Sequence, residues 1–225
     1  MLDSFATVLS TLGVAAGLGA AAGLRVFVPL FVASLACALG VITPGHGMEW
    51  IGSWWAVSAF GVLSLVEVVA FHVPWVDHAL DALATPLAVI SGTLVAAVPL
   101  LHALGVSDAN LSAGAMAGGL AHAGTATQQL LPWAAAVLGG GVPAAGVQLT
   151  SVATRAGSTA TTLGVANPIV ATLESIGAAV VSVLSVLVPL LIGAIALALV
   201  AAAAVIVLYW ARRRRSARAR LAGVP

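Results

Sequence analysis

Arg155 and Glu174 bracket a stretch that also holds five hydroxyls (Ser158, Thr159, Thr161, Thr162, Thr172) and the pair Asn167 and Pro168. Long apolar runs lie on either side. An ionisable group at bilayer depth is costly enough that it faces a protein interior or a water-filled cavity, so this stretch is the first place to look for chemistry. Gln148, Ser151, Arg155, Ser158 and Thr162 recur every three or four residues, a polar stripe of helical period. In an apolar helix such a stripe must turn inward. Proline disfavours helix at the residue before it and suits the first turn of the next helix, so one helix should end at Asn167 and another begin at Pro168. The new helix would present free backbone N–H groups and its positive dipole end at the break. Secondary transporters hold ions and substrate groups at broken helices of this kind.

Four more charges fall in or beside apolar runs: Arg25, Glu67, Asp77 and Asp81. Asp77, Asp81 and Thr85 are spaced by four and share a helix face. Asp77 also reads as a plain helix cap, whereas Asp81 lies a turn further in. Together the four carboxylates outnumber Arg25 and Arg155 by two. That excess favours a cation in the cavity or a proton on one or two carboxyls. A second, weaker set is Gly114, Gly118, His122, Thr125 and Gln129, small and polar residues along one face of a candidate helix. Helix packing and interhelical hydrogen bonding are the favoured reading of them. His46 and Glu49 are too few to make a metal site, and no metal or other cofactor is expected.

These residues sit in a chain of 225 residues that is 61% hydrophobic and 7% charged, with a mean hydropathy of +1.15. Soluble domains carry roughly a quarter charged residues, so a soluble domain is excluded. There are no lysines, and six of the eight arginines (Arg212, Arg213, Arg214, Arg215, Arg218, Arg220) crowd the last fourteen residues. Positive charge beside a span end is retained on the cytoplasmic side, which places this tail in the cytoplasm against anionic lipid headgroups. Nucleic acid is not an expected partner of so short a tethered tail, while a homo-oligomer is compatible with such a chain. The single Cys37 reads as a small buried hydrophobe. The first apolar run has no positive region before it and no small-residue cleavage site after it, so it is expected to be retained.

Residues 5–42 are too long for one span, since a bilayer core needs about 20 helical residues. Gly23, Arg25 and Pro29 predict a break there, with Arg25 inside, giving either two helices or a span and a re-entrant piece. Trp50, Trp54 and Trp55 mark a membrane interface before a span over about residues 52–73, and further spans follow over 76–104, over 111–131 and from after Trp133 to the break at Asn167 and Pro168. Residues 169–211 are long enough for two more. The expected fold is an all-α polytopic transmembrane bundle of about six to seven spans, with broken or re-entrant helices near Gly23 to Pro29 and Asn167 to Pro168. One transmembrane domain covers residues 1–211, followed by a basic tail over 212–225.

Three blocks carry a resemblance: Ala22-Gly-Leu-Arg-Val-Phe-Val-Pro29; Val66-Glu-Val-Val-Ala with Val73-Pro-Trp-Val-Asp77 and Asp81; and Arg155-Ala-Gly-Ser-Thr-Ala-Thr-Thr with Asn167, Pro168 and Glu174. With them the chain resembles the domain of unknown function 4126 family of bacterial integral membrane proteins, over most of residues 10–200. The family's pattern often has an Asp-Lys pair before the Pro-x-Val-Asp element, and here Phe71 and His72 stand at those positions. The resemblance implies a membrane fold and a shared site, and no substrate.

The functional reading is a small-ion or small-solute transporter or channel in the bacterial inner membrane, proton- or cation-linked. Its site candidates are Arg25, Glu67, Asp77, Asp81, Arg155, Ser158, Thr159, Thr162, Asn167 and Glu174, with His122, Gln129 and Gln148 behind them. Arg155 is expected to pair with Glu174 or with Glu67, Asp77 or Asp81. Glu174→Gln is expected to remove transport and spare the fold, because the shape hardly changes. The alternative is a membrane scaffold or assembly partner whose buried ion pairs only fix helix packing. No enzyme motif is present, so no residue is assigned a catalytic role.

Overall fold

The computed structural model describes the backbone of residues 2–72, 74–104 and 130–189, and the side chains of 10–72, 83–104 and 130–189. Asp77, Asp81, His122, Gln129 and the arginine-rich tail lie outside the described side chains. The chain divides into two units, Met1–Val186 and Leu187–Pro225. The helices and the site discussed below belong to the first, and of the second only the last residues of one helix are described.

Every regular element among the described residues is helical. Helix α1 (Leu2–Ala22) stops at a short break, α2 (Phe27–Ala38) follows it, and a 3-10 turn (Glu49–Gly52) leads into α3 (Trp54–Ala70). Then come α4 (Pro74–Ala103), α5 (Leu130–Thr162) and α6 (Asn167–Pro189). Among the described residues, three stretches are long and apolar enough to cross a membrane: Leu83–Ala103 of α4, and all of α5 and α6. Helix α2 has 12 residues. At 1.5 Å per residue it is about 18 Å long, short of a hydrocarbon core of about 30 Å.

Burial is inverted relative to a water-soluble protein. Leu65, Val66, Val69, Ile169 and Leu173 lie exposed, while Arg25, Glu67, Gln148, Ser151, Arg155 and Glu174 are buried. So large an apolar exterior needs a non-aqueous surrounding. The interior is built largely from small residues, as expected where lipid removes the hydrophobic drive between helices and close packing must supply the attraction. Helices α1, α4 and α5 cross at Gly19, Gly92 and Gly140. A Cβ on Gly140 would overlap the Gly92 carbonyl oxygen and the Ala96 methyl.

That crossing coincides with a π-helical turn in α5, Val137–Gly141, where the Val142 N–H reaches back to the Val137 carbonyl. Pro143 explains the turn. It has no N–H to give the carbonyl four residues back, and its ring would press on that carbonyl in a regular helix. Widening the turn over three consecutive glycines relieves both problems, and α5 runs on without stopping. Gly140→Ala should cost about 1–3 kcal/mol, because backbone must move to admit the methyl. Gly146, in the same helix, has nothing within 4 Å of a built Cβ. Gly146→Ala should therefore gain about 0.5–1 kcal/mol. Thermal melts of the two purified variants decide it: equal melting points would mean that the crossing is looser than described.

Candidate functional site

Two interruptions of the helices build the site, one at its edge and one about 10 Å away. The first follows α1, where the Leu24 and Arg25 N–H groups still reach the Ala21 carbonyl, but those of Val26 and Phe27 turn to a side chain. They donate to the two oxygens of Glu67 on α3, at 2.7 and 2.9 Å. Ser91 of α4 donates to the Val26 carbonyl at 2.6 Å, and Arg25 Nη1 to the Leu24 carbonyl at 3.1 Å. Irregular backbone inside an apolar bundle persists only when its polar groups are satisfied in this way. Glu67, an ion-site candidate by sequence, is occupied with holding the start of α2.

The second break is the turn between α5 and α6. Leu163 and Gly164 have φ of 53° and 84°, the left-handed region that reverses the chain within four residues. Arg155 lies seven residues before the end of α5, and Glu174 seven after the start of α6. At 1.5 Å per residue both are about 10 Å from the turn, so the hairpin brings them to the same level.

The result is a compact cluster. Arg155 Nη2 pairs with Glu174 Oε2, and its Nε lies 3.4 Å from Oε1. Arg25 Nη1 reaches the same Oε2 at 3.2 Å, while its Nε donates to Ser175 Oγ at 2.9 Å and its Nη2 to the Ala171 carbonyl at 2.7 Å. Ser151 Oγ donates to Glu174 Oε1. Both guanidinium carbons lie against one ring, that of Phe71, at 4.1 Å for Arg25 and 4.4 Å for Arg155. Cation–π attraction of about 0.5–2 kcal/mol each helps hold two like charges side by side. Exposures of 1% for Arg25, 5% for Arg155 and 8% for Glu174 show that the cluster is inside. A groove of about 400 Å³ runs between α5 and α6 and touches it, with Val147, Ser151, Val170, Leu173 and Glu174 among its walls.

The family model for a domain of unknown function, DUF4126, matches residues 12–131 and 109–209. The chain belongs to that family. No curated protein and no solved structure matches it. In this DUF4126 protein the resemblance blocks converge, since Arg25, Glu67, Arg155 and Glu174 come from all three. Phe71 is the ring that both arginines share. His72 beside it faces away from the cluster, bonding the Val68 carbonyl at 2.7 Å and Thr172 Oγ1 at 3.2 Å.

Of the other sequence candidates, Ser158, Thr159, Thr162 and Asn167 form a separate set around the α5–α6 turn. Thr162 Oγ1 donates to the Ser158 carbonyl at 2.7 Å, and Asn167 Nδ2 to Thr159 Oγ1 at 3.1 Å. Those hydrogen bonds shape the turn. Gln148 is buried on the Arg155 face of α5, further along from the turn. Sequence reasoning did not select Ser151, Ser175 or Phe71 for the site. Ser151 alone had a signal, its place in the polar stripe.

Proposed function

We propose that this DUF4126 protein is a polytopic protein of the bacterial inner membrane, of six or seven spans with a cytoplasmic basic tail, that carries a small ion or solute through the Arg25–Glu174–Arg155 cluster. Passage is linked to a proton or a cation, and no covalent chemistry is involved. The observation that carries this reading is a buried cluster of two arginines and a carboxylate, set between the α1–α2 break and the α5–α6 hairpin and reached by a groove. A bundle needing only cohesion is served as well or better by apolar side chains in the same place, because desolvating charges is expensive. A broken helix beside a charged site, as at the α1–α2 break, is a construction used by secondary transporters.

One observation favours the alternative of a packing scaffold. Arg25, Arg155 and Ser151 between them supply four donors to Glu174, which saturates its oxygens. A static clasp would look the same.

Flux separates the two. The purified protein is reconstituted in liposomes with a pH dye and a potential dye, and wild type is compared with Glu174→Gln kept below its melting temperature. Protein-dependent flux that the variant loses is the expected result. Silence of the folded wild type across proton, sodium, potassium and chloride gradients would end the inorganic-ion reading, leaving an organic solute or the scaffold.

A further inference from the structure

The geometry points to a binding site for a small organic monocarboxylate in the groove between α5 and α6, with the ligand's carboxylate taking the place of Glu174 on Arg25 and Arg155. This names the cargo of the proposed carrier, and as cargo it rests on that reading. Two planar guanidiniums held against one ring and sharing one carboxylate oxygen are a receptor for that group, since an arginine fork matches a carboxylate and its stacked plane is set in advance. Glu174 occupies the receptor from the protein side. Because its oxygens already take four donors, an incoming cation finds no open acceptor on it; an incoming carboxylate competes on equal chemistry.

The groove selects what is attached to that carboxylate. At about 400 Å³ it falls within the range of small-molecule sites, roughly 300–1,000 Å³. Leu24, Val147, Val170 and Leu173 give apolar walls. Thr150 and Thr154 also line it, but their hydroxyls donate to the carbonyls of Gly146 and Thr150 in their own helix, at 3.0 and 2.9 Å. A short hydrocarbon body therefore fits, whereas a second carboxylate would meet walls with no cation to pair it.

The test is equilibrium binding of radiolabelled butyrate to the full-length protein in detergent, and saturable binding is the expected result. Propionate and valerate should compete, and butylamine and succinate should not. Leu173→Trp fills the groove from a residue 64% exposed, and should abolish binding with an unchanged melting temperature. Folded wild type without saturable butyrate binding, or Leu173→Trp binding as wild type does, would overturn the site. Palmitate binding where butyrate fails would also overturn it, assigning the groove to bilayer lipid. Butyrate binding without uptake into liposomes would support the site and sink the carrier; ion flux without butyrate binding would do the reverse.

Discussion

Glu174→Gln should destabilise the fold by about 3–5 kcal/mol, the usual cost of removing one partner from a buried ion pair. Sequence alone argues the opposite, because glutamine has nearly the shape of glutamate. The cluster supplies the reason for the difference. Glu174 draws in guanidiniums from the α1–α2 break and from α5, and both lie against Phe71. Glutamine keeps one carbonyl acceptor, removes the negative charge between two positive ones and turns an N–H group towards donors. Thermal or denaturant unfolding in detergent measures the loss, and Arg155→Leu in the same chain supplies the control. If the two residues act as a clasp, the double variant should be less destabilised than the two single losses added, by about 0.5–3 kcal/mol. Additive losses, or a Glu174→Gln melt matching wild type, would mean that the pair contributes no cohesion.

The second large effect is expected at Glu67. Glu67→Ala leaves the Val26 and Phe27 N–H groups without their acceptors inside the bundle, at about 1–3 kcal/mol for each unsatisfied group. The total of about 2–6 kcal/mol is large for one exchange. Glu67→Gln should fall between, since one oxygen accepts and the amide group opposes the other N–H. Hydrogen exchange distinguishes this from a general loosening. The amides of Val26 and Phe27 should lose protection first, ahead of the interior of α1. Uniform loss across the bundle, or no loss at all, would show that Glu67 does not hold the break.

Arg25, Glu67, Arg155 and Glu174 are legible in the sequence because a charge within an apolar run has few places to go. The breaks near Gly23 and Asn167 are legible for a related reason: glycine and proline interrupt runs too long for one span. The rest of the cluster gives no such signal. A phenylalanine in a chain this apolar looks like any other hydrophobe, so nothing marks Phe71 as a platform for two cations. The Ala171 carbonyl and the Val26 and Phe27 N–H groups belong to backbone that every residue has. Periodicity placed Ser158 and Thr162 with Arg155 on one stripe. It could not show that near a helix end Thr162 turns to its own backbone and shapes the hairpin instead. The expected carboxylate excess rests on Asp77 and Asp81, whose side chains lie outside the described residues; of the charges it counts, the described ones are Arg25 and Arg155 against Glu67 and Glu174.

The contacts of Arg25 also set a timetable for how the protein is made. Its partners Ala171, Glu174 and Ser175 lie 146 to 150 residues further along the chain. At the about 5–20 residues per second of synthesis, they leave the ribosome on the order of ten to thirty seconds after Arg25 does. Glu67 follows Val26 by only 41 residues, so the clamp on the first break can form early. The α5–α6 hairpin has to dock against a half-bundle that already presents Arg25. Closure of the charged centre thus waits for α6, and a nascent chain halted before α6 would present the insertion machinery with an arginine still lacking those three contacts.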